Sequence, residues 1–222
     1  MSASRLSSKP SRAARIGGTS VWDGAPVAQG QIDMTHLEHL NELYGESEDP
    51  WHMRGDWSEQ RRRDLLLASL NHARYGNSFL PGCGTGELIP ALARRTDRVL
   101  AADDNRERLA AARARTGHLS NVDVQWLHLP AQWPTEARFD LIVLHEVGYL
   151  MGLADWASLA EAVRGSLLPD ATVLACHHHR QLSGRQLETD TLHGTLDSIL
   201  GLTRQTRVID STFAIDVWTN RS

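Results

Sequence analysis

The segment Phe79-Leu80-Pro81-Gly82-Cys83-Gly84-Thr85-Gly86-Glu87 is the part of this 222-residue chain most suited to holding a ligand. It follows a short apolar run and opens a helical pattern, the context in which a glycine-rich loop cradles a nucleotide-like molecule. A nucleoside triphosphate calls for G-x-x-x-x-G-K-[ST], and this loop has no lysine. A dinucleotide calls for G-x-G-x-x-G, but Glu87 occupies the last position and sets a negative charge where a pyrophosphate would sit. S-adenosylmethionine carries a sulfonium and no phosphate, so an acid after G-x-G-x-G does not oppose it.

Further candidates lie where the following apolar runs end. Asp103 closes Val99–Asp103 and is placed to accept hydrogen bonds from ribose hydroxyls. The competing reading is a cap for the helix starting near Asn105, a task open also to Asp104 or Asn105 itself. His145-Glu146 ends the fourth run and Cys176-His177-His178-His179 the fifth. A neutral imidazole can accept a proton near pH 7, so His145 and His178 are candidate catalytic bases. The competing role for His145 is packing or solvent contact. Glu146 offers a site for a cationic amine.

Alternation places His177 and His179 on one face of a strand and His178 on the other, so at most two could share a metal. There is no H-E-x-x-H and no zinc-like cysteine pair, and no metal is expected. Cys83 and Cys176 have no partner suggesting nucleophilic work.

These residues need a scaffold that gathers strand ends. Apolar runs at 77–81, 98–103, 122–127, 139–145 and 171–177 alternate with helical patterns at 87–95, 105–115 and 153–167. Such βαβ alternation predicts a mostly parallel sheet covered on both faces. Leu202–Ile209 and Thr212–Trp218, separated by Asp210-Ser211, read as a terminal antiparallel hairpin. Residues 1–30 read as a Ser/Arg-rich disordered tail, 31–75 as an N-terminal helical lid and 76–222 as a Rossmann-like core. Within the lid, a helix from Trp57 to about His72 could be capped by Ser58, with Arg61, Arg62 and Arg63 on its solvated side.

Composition narrows the class. Hydrophobic residues make up 41% and charged residues 23%, the balance of an ordinary soluble globular chain. The net charge is −4, and the first twenty residues contain bases but no acids, so the body is more acidic still. Such a body does not suit phosphate-backbone binding, and no run approaches the roughly 18 apolar residues of a membrane span, so neither partner is expected. The first residues lack the apolar core of a secretory signal, which points to the cytoplasm.

Several segments together resemble class I S-adenosylmethionine-dependent methyltransferases, and within them the nodulation-protein-S (NodS-like) branch. They are Asp49-Pro50-Trp51, the glycine loop, Ala102-Asp103 and Leu129-Pro130-Ala131-Gln132-Trp133-Pro134. Phe139 to Val147, His178-His179-Arg180 and Phe213 to Trp218 continue the likeness. The resemblance implies a seven-stranded sheet ordered 3-2-1-4-5-7-6 and N-methylation of a small amine such as an amino sugar. It implies cofactor contacts from Trp51, Gly82, Cys83, Gly84, Gly86, Asp103, Asp104, His128, Leu129 and His145.

Trp126 and Trp133 fit packing better than ligand contact. Leu80 stands where the family carries an acid that organises the loop and the methionine ammonium, and Glu87 is the nearest substitute. Asp104 replaces an apolar residue that lies on the adenine, and His128 replaces an aspartate facing its amino group. A cofactor-binding protein without catalysis and a nicotinamide oxidoreductase remain the alternatives.

Overall fold

The computed structural model describes residues 56–179 and 184–220. The chain runs α1 (Trp57–Ala68), β1 (Tyr75–Pro81), α2 (Ile89–Ala93), β2 (Thr96–Asp103), α3 (Arg106–Thr116) and β3 (Val122–Trp126). It continues through β4 (Phe139–His145), α4 (Leu153–Gly165), β5 (Leu167–His178), α5 (Thr189–Ile199), β6 (Thr203–Ile209) and β7 (Phe213–Thr219). One sheet results, ordered β3-β2-β1-β4-β5-β7-β6, as the resemblance implies. The first five strands are parallel, and β7 runs antiparallel between β5 and β6.

Burial on both faces explains the continuous apolar runs. Alternate strand residues feed two cores. Leu141, Val143, Cys176 and Ile215 face α1, α2 and α3, while Ile142, Leu144, Ala175 and Trp218 face α4 and α5. Of the expected lid at 31–75, only residues 56–75 are described; they include α1, which packs Leu66 on the first face. Its N-cap is Asp56, not Ser58: the Asp56 carboxylate accepts the Ser58 amide at 2.7 Å.

Other boundaries also differ from expectation. The helix expected at 87–95 shortens to Ile89–Ala93, with Pro90 in its first turn, where a missing amide proton costs little. The helix expected through residue 167 stops at Gly165, because β5 starts at Leu167 and carries an irregularity against β4. Asp170, at φ 60°, lies in that irregular stretch. The added helix α5 buries Leu192, His193 and Leu196.

Candidate functional site

The three loop glycines do different work. A Cβ on Gly82 would lie 3.1 Å from Val147 Cγ2, and one on Gly86 would lie 3.0 Å from the Ala112 backbone of α3. A Cβ on Gly84 would meet nothing within 4 Å. Gly82 and Gly86 therefore set close packing, while Gly84 borders the open side of the loop. All three have positive φ, a conformation that glycine adopts without steric cost.

Asp103 at the end of β2 closes this loop. Its Oδ2 accepts the Gly84 amide at 2.9 Å, and its Oδ1 accepts the Asn105 amide at 3.0 Å and faces Arg108 at 2.8 Å. Asn105 is the N-cap of α3, so Asp103 is not spent on capping. Burial pushes the Asp103 carboxyl above its ordinary value, while Arg108 pulls in the other direction. The Cys83 amide donates to Ala102 O at 2.8 Å, and burial pushes its thiol up, away from reactivity.

Leu80 and Glu87 have clear surroundings. Leu80 is 2% exposed and belongs to the core beneath α1 to α3. Glu87 is held by Arg115 at 2.8 Å and by the Thr85 hydroxyl at 3.2 Å, so its charge is committed to α3.

Beside Asp103, the Asp104 carboxylate meets Arg108 at 3.2 Å and His128 Nδ1 at 3.3 Å. The structure thus brings Asp104 and His128 together. Trp126, 38% exposed, donates its indole proton to Asp104 O, while Trp133 is core. Leu129 packs against that core. Trp51 and Arg180 lie outside the described residues.

The other half of the site joins α1 to the ends of β4 and β5. Arg62, expected on a solvated face, is 1% exposed and bonds both Glu59 and Glu146. Glu146, at φ 57°, also accepts the Tyr149 hydroxyl at 3.1 Å and the His178 amide at 3.0 Å. Its charge is thus already matched by Arg62. His178 turns Nε2 to Glu59 at 2.8 Å and Nδ1 to the Thr212 carbonyl at 3.0 Å. With both ring nitrogens facing acceptors, it is held in place. Burial would raise the Glu59 carboxyl, but the His178 hydrogen bond and Arg62 outweigh it and hold the value at about 2.

His145 differs. It is buried, shares the α1 face with Leu141 and Val143, and leaves Nε2 without a hydrogen-bond partner. Burial first, then Arg62, His177 and His178, keep it well below 6.5 and hence neutral.

Sequence reasoning missed Glu59, Arg62 and Tyr149. The Glu59/Arg62 spacing of three on a helix was the available signal. His177 faces α5 and His178 faces α1, as alternation predicts, while His179 lies past the strand end. Among the described residues no His/Cys/Asp/Glu cluster suits a metal, and no helix is long and apolar enough to cross a membrane.

Comparison with known proteins accords with this geometry. A putative methyltransferase from Pseudomonas syringae is 33% identical, covers 74% of this chain and 100% of its own, and superposes with a TM-score of 0.67. N-methyltransferase NodS from Bradyrhizobium japonicum WM9, solved with S-adenosyl-L-homocysteine, is 23% identical, covers 86% and 100%, and has a TM-score of 0.74. The DhpI complex with the same product is 18% identical, covers 83% and 95%, and has a TM-score of 0.65. The search of curated proteins gives no match. The glycine loop closed by Asp103, with open space at Gly84, fits S-adenosylmethionine as cofactor. A family model described as "Nodulation protein S (NodS)" matches residues 36–179, well over half the chain, and the protein therefore belongs to this family of S-adenosylmethionine-dependent methyltransferases.

Proposed function

We propose that the protein N-methylates a small amine, with an amino-sugar-like compound as the leading acceptor class. One observation carries the reading: His145, neutral and buried at the end of β4, keeps Nε2 without a partner beside the Arg62, Glu146 and His178 network. The printed name of the Bradyrhizobium neighbour, an N-methyltransferase, supports an amine acceptor. When bound, S-adenosylmethionine supplies a methyl group already activated by its sulfonium.

The protein's task is orientation and exclusion of water. His145 accepts a hydrogen bond from the amine N–H and aims the nitrogen lone pair at the methyl. Its depressed basicity keeps it an acceptor throughout neutral pH, and the proton released after transfer passes on to solvent. His178, fixed by Glu59 and Thr212, shapes the wall of the acceptor pocket. The loop, Asp103, Asp104, His128 and Leu129 line the cofactor side. Residues 31–75 serve as the lid and the enzyme works in the cytoplasm.

The test is release of S-adenosylhomocysteine across a panel of amines, sugars and phenols. Turnover with amines, lost in His145→Ala while cofactor affinity stays within about threefold, is expected. Turnover confined to phenols or neutral sugars overturns the amine assignment.

A further inference from the structure

A second polar chain lies on the opposite face of the sheet. Asp216 of β7, His193 of α5 and His177 of β5 are 0%, 2% and 0% exposed. His193 Nδ1 is 2.9 Å from Asp216 Oδ2, and its Nε2 is 2.9 Å from His177 Nδ1. His177 Nε2 then lies 2.8 Å from the carbonyl oxygen of Val147. The Val147 carbonyl can only accept, so His177 donates from Nε2 and its Nδ1 accepts from His193 Nε2. One proton between His193 Nδ1 and Asp216 Oδ2 closes the chain. None of these groups faces the methyl-transfer side, yet buried polar groups are costly unless satisfied.

The far end of the chain explains their placement. Val147 sits between Glu146 at φ 57° and Gly148 at φ 99°, so a sharp turn leaves β4 with its carbonyl outside the sheet ladder. Gly148 presses that turn on α4, since a Cβ there would lie 2.6 Å from Trp156. The Val147 side chain in turn lies 3.1 Å from the Cβ position of Gly82, the first glycine of the cofactor loop.

We propose that His193 and His177 are positioning residues for cofactor binding: anchored by Asp216, they fix the Val147 peptide and thereby hold Gly82 and the loop in the binding shape. The effect runs through Val147, and neither histidine touches the cofactor. Burial and the neighbouring His193 keep His177 neutral, as the donor-acceptor order requires. The inference rests on the glycine loop being the cofactor cradle.

The experiment measures S-adenosylhomocysteine affinity by calorimetry on the full chain, with circular dichroism confirming a folded sample. His177→Leu removes the donor to Val147 and should weaken binding about tenfold, the equivalent of one well-made hydrogen bond lost. His177→Gln keeps an amide N–H near the Nε2 position and should stay within about threefold of wild type, a rescue that loss of packing would not show. Asp103→Ala serves as the cradle control. Wild-type affinity in His177→Leu with weakened binding in Asp103→Ala overturns the inference, as does a His177→Gln variant as weak as His177→Leu. Wild-type affinity in both His177→Leu and Asp103→Ala overturns the cradle itself. If His177→Leu does not fold, Val147→Ala trims the half-buried contact with Gly82. It should weaken binding about threefold or more, and unchanged affinity there overturns the inference.

Discussion

The Asp103 carboxylate accepts the backbone amide of Gly84 at 2.9 Å, so the tip of β2 closes the loop that leaves β1. The same carboxylate holds Arg108 and the Asn105 amide, and burial keeps it at an energetic cost. A carboxylate so surrounded clasps the loop, and the proposed reading gives it the ribose hydroxyls as well. Asp103→Ala should weaken S-adenosylhomocysteine binding by about 1.5–3 kcal/mol, the range for hydrogen bonds to a charged group. Asp103→Asn should cost less, because one acceptor oxygen survives. Calorimetry on the folded variants checks both.

Gly84 and Gly86 should separate binding from folding. Gly86→Val drives a side chain into the Ala112 backbone and should lower the melting temperature sharply. At Gly84 an added Cβ meets nothing within 4 Å, so the main fold penalty of Gly84→Val is the left-handed backbone, about 1–2 kcal/mol. Its side chain occupies the space left for the cofactor, and binding should be lost. Thermal melts with and without S-adenosylhomocysteine distinguish the two effects.

Leu80 belongs to the core, and replacing it with the acid usual in the family should not restore a cofactor contact. Leu80→Glu buries a carboxyl without a partner and should destabilise the fold by several kcal/mol, about the loss from large core truncations. Affinity measured on the same sample should show no gain. Tighter binding with an intact fold would mean that the loop can take the family's arrangement.

The acid stability profile should have two windows. His145 and His177 are held well below 6.5, so below that pH the unfolded chain binds protons that the folded chain refuses. Stability therefore falls as pH drops from about 6.5. Glu59, lowered from 4.5 to about 2, adds stability above 4.5 that is lost as pH falls toward 2. Urea titrations at stepped pH should show both declines, and Glu59→Gln should flatten only the lower one.

The strands and the loop were legible because each rests on local pattern: apolar runs of strand length, glycines at a strand end, an acid at the next; the order of the strands came from the family resemblance. The interior network was not. Arg62 lies within three consecutive arginines, a pattern that in isolation signals a solvated face. Only the approach of α1 to the ends of β4 and β5 brings Glu146 within reach and makes burial tolerable. Helix α5 was hidden for a related reason. Its buried side includes His193 and Thr189 beside Leu192 and Leu196, so the apolar stripe is broken by polar groups that find partners only across the sheet. His145 could be named from its place at a strand end, but its free nitrogen depends on what the neighbouring chains already hold.

The close approach of Gly86 to Ala112 gives a helix residue control over the loop's height. The Ala112 methyl acts as a spacer between α3 and the cradle, one carbon thick. A larger side chain at that position would lift the loop without altering a single group that faces the ligand. Variation in cofactor affinity among related chains can thus arise one layer behind the pocket wall, in the choice of a residue that looks like ordinary helix packing.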